Sequence, residues 1–277
     1  MEVREAVRQA VATIHRRFSE PITLTDIAAE VFVSPFHLSR VFSQETGVPP
    51  GRYLTAVRMF EAKKRLLTSS MTVCDIVYSV GYNSVGTFTS RFTRAVGMSP
   101  RQYRQPEVER LLVAASGELN RMPALGELMA PTRRPPSAHR PTGTLNGVVE
   151  LPRHAPGTTL LIGVYHEHVP QQAPVVHMAL PADTRTHFSL TGVPYGSWTV
   201  MAIAMRAGIA ENRENVFLCS SPNRISVSPG STSWTRLPMR RLSPTDAPIA
   251  VTLADTSLRS LPAHTYEADR FPALVGS

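Results

Sequence analysis

Apolar residues recur at helical spacing through the first hundred positions, then at shorter, strand-like intervals from Gly143 onward. Leu24, Ile27, Ala28 and Val31 stand at i, i+3, i+4 and i+7, one face of a short helix. Thr25 or Thr23 caps its start. Ser34-Pro35 restarts a helix, with serine at the N-cap and proline at the first helical position. Leu38, Val41 and Phe42 form the buried face of this second helix, and Gly47 ends it. The pattern then returns. Val73, Ile76, Val77 and Val80 predict a short helix, Gly81 a turn, and Asn83 or Ser84 a cap. Phe88 and Phe92 are the buried positions of the next helix, and Gly97 its end.

The two segments are copies. Asp26-Ile27 and Val31 match Asp75-Ile76 and Val80 at an offset of 49 residues. After one extra residue in the turn, Ser34, Leu38, Phe42, Gly47, Pro50 and Tyr53 match Ser84, Phe88, Phe92, Gly97, Pro100 and Tyr103 at an offset of 50. Each copy reads as helix, tight turn, helix. Such a turn forces a steep crossing, so that the first helix braces the second. The outer face of the second is then free to enter a major groove about 12 Å wide. Between the copies, Tyr53, Leu54, Val57, Phe60, Ala62, Leu66 and Leu67 give one linker helix an apolar stripe, with Arg58, Lys63, Lys64 and Arg65 outside it. A helix over residues 3–18 packs Val7, Val11, Ile14 and Phe18 onto the first copy.

These residues resemble the AraC/XylS family of bacterial transcription regulators. The resemblance is carried by Ser34-Pro35-x-His37-Leu38-Ser39-Arg40-x-Phe42, by Gly47, Pro50 and Tyr53, and by Arg58, Ala62 and Leu66-Leu67. It continues through Ile76, Val80-Gly81-Tyr82, Phe88, Phe92 and Gly97-Met98-Ser99-Pro100-x-x-Tyr103-Arg104. It implies a monomeric pair of helix-turn-helix units bound to two adjacent major-groove segments of promoter double-stranded DNA, with RNA polymerase as a further partner. The chain departs from the family at Val77, where alanine is common, at Ser90, where arginine is common, and at Ser43, often lysine. The motif pair also stands first in the chain rather than last.

Base readout is expected from Phe36, His37, Ser39 and Arg40 in the first copy and from Val85, Gly86, Thr87, Thr89 and Ser90 in the second. Arg40 is the foremost candidate, because its planar fork matches guanine N7 and O6. Phe36 suits a thymine methyl, or else covers the turn. Glycine and valine make no bidentate hydrogen bonds, so the second copy leans on Thr87, Thr89 and methyl contacts. Ser34, Ser43, Arg91, Arg94, Arg101 and Arg104 are expected at the DNA backbone, where they add affinity without sequence information. The bland alternative for each arginine is a solvated surface charge.

After residue 106 the texture changes. Val108, Leu111, Leu112 and Ala115 have helical spacing and predict a helical extension over 107–130. Residues 131–142 form a Pro/Arg-rich linker. From 143 to 242, short apolar runs and the turn clusters Gly192–Gly196 and Ser228–Gly230 predict an antiparallel β-sandwich. In it Leu160–His168 alternates around Val164 and His166. The stretch from Phe188 through Leu190, Gly192-Val193-Pro194, Gly196, Trp198 and Val200 looks like carboxypeptidase-regulatory and transthyretin-like sandwiches. That resemblance implies a fold and no chemistry. Residues 243–277 are read as a tail. The fold class is thus multidomain: an all-α N-terminal domain (1–106) with two helix-turn-helix motifs joined by a linker helix, then an antiparallel β-sandwich.

Charge and composition sharpen this picture. Residues 1–106 hold 14 Lys and Arg against 8 Asp and Glu, whereas 143–277 hold 10 against 9. The polyanion partner therefore belongs to the first third. Cys74 and Cys219, the two cysteines, exclude a disulfide framework and a Cys-rich zinc site, and both read as small packed apolar residues. The charged start MEVREAVRQA and the lack of a long apolar run predict a cytoplasmic protein with no membrane partner. No G-x-S-x-G, H-E-x-x-H or phosphate loop supports catalysis, and no cofactor is implied. His166 and His168, with His177 or His187, are too few placed ligands for a metal, and outer-face polar residues is the better reading. Tyr165, Tyr195, Trp198 and Trp234 either line a pocket or fill the core.

The leading expectation is a sequence-specific, non-enzymatic transcription regulator whose β domain receives a small-molecule or protein effector. Two alternatives stand beside it: a DNA-modifying or repair enzyme targeted by the helical unit, and a β domain serving only interaction or oligomerisation.

Overall fold

The computed structural model describes residues 3–129, 141–209 and 213–254. Helix α1 (Val3–Arg17) precedes a first helical pair, α2 (Leu24–Glu30) and α3 (Pro35–Thr46). The long α4 (Pro50–Thr68) joins it to a second pair, α5 (Val73–Ser79) and α6 (Val85–Val96). The short α7 (Pro100–Tyr103) and α8 (Pro106–Arg110) follow. The caps set these boundaries. Thr23 and Thr72 each accept from the backbone N–H of Asp26 and Asp75, whose carboxylates reach back, so both copies start with a capping box. Thr23 therefore takes the cap rather than Thr25. Ser34 and Ser84 cap α3 and α6 by accepting from the N–H groups of His37 and Thr87, so the second cap is Ser84 rather than Asn83. Gly47 and Gly97 end α3 and α6 at φ of 77° and 86°, the left-handed region that a Cβ penalises.

Each pair has its own core. Val7, Ile14, Ile27, Leu38, Phe42 and Tyr53 cluster in the first, and Ile76, Val77, Phe88, Phe92 and Tyr103 in the second. Helix α4 serves both, through Val57 on one side and Phe60 and Leu66 on the other. Its 19 residues span about 28 Å at 1.5 Å per residue. Two expectations fail in this part. Lys63, placed by spacing among the polar residues, is 1% exposed, because the C-terminal half covers that side of α4. Cys74 is exposed rather than packed, since α5 turns Ile76 and Val77 inward instead.

Beyond Arg110 the expected helical extension is replaced by β1 (Leu112–Ala115), β2 (Arg121–Met122) and a single turn of helix, α9 (Leu125–Met129). A run as short and apolar as LLVAA fits helix and strand alike, and here all four residues of β1 are buried. The further strands are β3 (Thr142–Glu150), β4 (Thr158–Tyr165), β5 (Val176–Pro181), β6 (Arg185–Pro194), β7 (Gly196–Arg206) and β8 (Gly208–Ile209). They continue with β9 (Phe217–Ser220), β10 (Ile225–Val227), β11 (Thr232–Pro238), β12 (Arg240–Arg241) and β13 (Ile249–Thr252). One sheet runs β12-β9-β7-β4-β5, with β10 also on β7; a second runs β11-β3-β6; a third runs β13-β1-β2-β8. Strand β13 lies in what was read as a tail and pairs antiparallel with β1, Leu112 opposite Thr252.

The antiparallel expectation needs one correction. β11 runs parallel to β3, from Thr232 opposite Thr144 to Pro238 opposite Glu150. The layering also exceeds two sheets. Every residue of β4 is buried. Leu160, Ile162 and Val164 share a core with Leu145, Val149, Phe188 and Leu190 of β3 and β6. Leu161 and Tyr165 share another with Val113 of β1 and Val251 of β13. β7 divides likewise: Val200, Ala202 and Ala204 on one side, Met201, Ile203 and Met205 on the other. This is why LLIGVY and VMAIAM are continuous apolar runs and do not alternate. Most of the Pro/Arg-rich linker, and residues 255–277, lie outside the described residues. Among the described residues no helix is long and apolar enough to cross a membrane.

Candidate nucleic-acid interface

The core faces of α3 and α6 fix what remains outside. Leu38, Val41 and Phe42 are buried in α3, as are Phe88, Phe92 and Val96 in α6. In the first copy this leaves Ser34, Phe36 and Arg40 exposed, with His37, Ser39 and Ser43 half-buried beside them. Phe36 is 82% exposed. Phe32, at the preceding turn, is 90% exposed as well, so two aromatic rings stand in solvent at the start of α3. The Ser43 hydroxyl donates its one proton to the Ser39 carbonyl at 2.8 Å, so it must turn from that bond before it can donate to a phosphate.

In the second copy Gly86, Thr87, Ser90, Arg91 and Arg94 are exposed and Thr89 is half-buried. Val85 is drawn partly into the second core and presents less surface than the spacing implied. A Cβ added at Gly86 meets only Ser84 Oγ, at 3.9 Å, so this glycine keeps an open surface and not a tight internal contact. Arg101 is exposed on α7. Arg104 departs from the expectation: it is half-buried and its guanidinium donates to the Met71 carbonyl, so it ties α7 to the start of α5 instead of reaching outward.

One further arginine, not among the expected DNA contacts, lies beside this face. Arg58 of α4 donates to the carbonyls of Phe18 and Glu20 at 2.7 Å each and lies 5.7 Å from the Tyr82 ring. With Tyr82, Ser84, Thr87 and Arg91 it lines a cleft of about 340 Å³ at the start of α6. Burial raises the Tyr82 hydroxyl above its ordinary pKa, and Arg58 and Arg91 oppose that rise, so two guanidinium groups act on this cleft. Its position outside the apolar stripe of α4 was the available signal.

The C-terminal half attaches elsewhere on the helices. Gln172 donates to the Arg94 carbonyl at 2.7 Å, near the end of α6. Tyr53 donates to the Asp246 carbonyl at 3.0 Å, and Thr252 to the Val108 carbonyl at 3.0 Å. The Lys63 ammonium donates to Ala250 O at 2.6 Å and to Gln171 O and Oε1 at 2.9 and 3.0 Å. These contacts fall on α4 and on the C-terminal ends, away from Phe36, Arg40, Gly86 and Thr87.

The histidines and aromatics of the second half resolve separately. His166 packs on Trp198 with ring centroids 4.6 Å apart, and His168 Nδ1 lies 3.3 Å from Ser220 Oγ. Among the described residues no three His, Cys, Asp or Glu side chains converge on a metal position. Tyr165 and Trp198 are core residues, whereas Tyr195 and Trp234 are exposed.

A helix-turn-helix domain family matches residues 27–106. The lactose operon transcription activator of Staphylococcus xylosus is 33% identical over 102 residues, 37% of this chain and 37% of that protein. The HTH-type transcriptional activator AarP of Providencia stuartii is 33% identical over 98 residues, 35% of this chain and 73% of that protein. Among solved structures, the C-terminal domain of AraT, a response regulator from Geobacillus stearothermophilus, is 38% identical. It covers 36% of this chain and 83% of that one, with a TM-score of 0.35. The chain spans between 31% and 39% of the length of the first curated relatives it matches.

Proposed function

The chain belongs to the AraC family of helix-turn-helix DNA-binding transcription regulators, and on that premise we propose that α3 and α6 dock in two adjacent major-groove segments of a promoter. One observation carries this reading: the duplicated units bury equivalent faces and leave equivalent N-terminal faces of both helices in solvent. Phe36, His37, Ser39 and Arg40 read bases in one segment. Thr87, Thr89 and Ser90, with Val85 and Gly86, read the other by hydrogen bonds and methyl contacts. Arg91, Arg94 and Arg101 neutralise phosphates, the Ser34 hydroxyl donates to a phosphate oxygen, and Ser43 does so once its hydroxyl turns from the Ser39 carbonyl. The 19-residue α4 sets the spacing, its length of about 28 Å being close to the ~34 Å of one DNA turn. Selection of full-length protein on random duplexes tests this. Two sequence blocks about one turn apart are the expected product, and a pool with no enriched sequence refutes the reading.

The sheet region is the effector part. It receives a small molecule or a protein and passes the signal to the helices, and RNA polymerase is the machinery that the DNA-bound protein engages. In support, its contacts bridge both helical units while sparing the exposed faces of α3 and α6. We read the two sheets around Leu145, Leu160 and Phe188 as a transthyretin-like sandwich carrying one parallel pair and a third layer beside it. The hairpin of β6 and β7, where Trp198 Nε1 donates to the Pro194 carbonyl at 2.8 Å, is consistent with it. The effector part comprises residues 143–242 together with β1 and β13, and the DNA-binding domain spans 1–106. Thermal shift of the full chain against a metabolite panel, with sizing in solution, separates a ligand sensor from an interaction module.

A further inference from the structure

A cavity of about 730 Å³ opens where the sheets meet the first helical unit. That volume lies inside the ~300–1,000 Å³ typical of small-ligand sites. Its floor is apolar: Met201, Leu218 and Ile249, each buried, come from β7, β9 and β13. Its rim is polar and carries two arginines, each paired with a carboxylate. Arg240 forks onto Asp246 at 2.6 and 2.7 Å, so that pair is internally neutralised. Arg236 donates its Nε to Glu150 at 2.6 Å, and among the described residues its two terminal nitrogens make no hydrogen bond. Apolar depth beneath a guanidinium with free donors suits an apolar body ending in a carboxylate.

Part of the lining belongs to, or packs on, the first helical unit. Thr46, the last residue of α3, lines the cavity, and Val169 and Ala247, also lining it, pack into the core of the first unit. His168 reaches from the same lining to the end of α3: a Cβ added at Gly47 would stand 2.7 Å from its Nε2. An occupant would thus touch the sheets and the base of a recognition helix together.

We propose that this cavity is the effector site and that its ligand is a small amphipathic carboxylate, held by Arg236 over the Met201–Leu218–Ile249 floor. The inference rests on the sensor reading above and adds the place, the ligand class and the route to DNA. Because the ligand contacts the base of α3, binding shifts the affinity of the full chain for DNA, and DNA shifts its affinity for the ligand by the same factor.

Cys219 lines the cavity and Cys74 lies exposed on α5, so the two thiols report separately. Octanoate is the probe, with octanol and octylamine as neutral and cationic counterparts. In the full chain, octanoate is expected to slow N-ethylmaleimide labelling of Cys219 at least fivefold, leave Cys74 labelling unchanged, raise the melting temperature, and change affinity for the selected duplex at least threefold. Arg236→Ala, a change at an exposed ion pair, should weaken octanoate protection about tenfold without altering the unliganded melting temperature. Octanol and octylamine should protect poorly. Unchanged Cys219 labelling at millimolar octanoate overturns the proposal, and so does equal protection by octanol or by octanoate in Arg236→Ala. If other metabolites shift the melting temperature while Cys219 labels at its free rate, the cavity assignment falls and the sensor reading stands. If no compound shifts it, both fall.

Discussion

At the residue scale, Arg40 and Lys63 show what a charged side chain gains or loses by its place on a helix. Arg40 stands in water on the outer face of α3, one turn after the exposed Phe36. Arg40→Ala is expected to cost roughly 1–3 kcal/mol on the selected duplex and to relax preference at one base pair. Equal losses on selected and random duplexes in a binding titration would remove it from base reading. Lys63 is the opposite case, wholly buried among carbonyl oxygens, and burial pushes its amine down to about 7 from an ordinary value of 10.5. The unfolded chain holds the proton between those values and the folded chain releases it. The contribution of this group to stability therefore rises as pH climbs from about 7 toward 10.5, and is lowest below 7. Melting curves from pH 7 to 9.5 should show this rise in the wild type and a flatter profile in Lys63→Met. Parallel profiles would place the dependence elsewhere. Arg40 could be placed from sequence, because its neighbours in spacing are Phe36 and Ser43. Lys63 could not, because helical spacing knows only the helix, and its partners lie at 171 and 250.

At the element scale, the caps repeat more faithfully than the faces they position. Ser34 and Ser84 each satisfy a free N–H at the start of a recognition helix, and the first turns they order carry Phe36, His37, Gly86 and Thr87. Ser34→Ala and Ser84→Ala are each expected to lower stability by about 1 kcal/mol. Denaturant unfolding of the full chain measures that loss. Each should also weaken DNA binding by more than stability alone explains, by fraying the contact residues. Full retention of binding would show that DNA orders the turn by itself. The helices were legible because repeat, periodicity and caps agreed on them. The segment 112–115 was not: Leu112 and Ala115 fit a helical stripe, but a four-residue apolar run takes its form from what pairs with it, and its partner Ile249–Thr252 lies more than a hundred residues away.

Across the whole molecule, charge and contact divide the work. The basic excess sits in the first third, so binding should be salt-sensitive there, and Arg91→Ala should reduce the slope of log Kobs against log salt by about 0.9. An unchanged slope would mean that Arg91 remains at the Tyr82 cleft without meeting phosphate. The C-terminal half holds both helical units, through Tyr53 and Asp246 at one and Gln172 and Arg94 at the other. By itself the sequence determined the two helical pairs, the rod between them and the outward faces of α3 and α6. Those depend on interactions within a few turns of chain, where spacing and caps are readable. Tertiary structure alone decided the burial of Lys63, the inward turn of Arg104, the parallel register of β11 on β3, the third layer built from β1 and β13, and the cavity under Arg236. Each of these joins groups far apart in the chain, and their free energy comes from burial and pairing that no local pattern encodes.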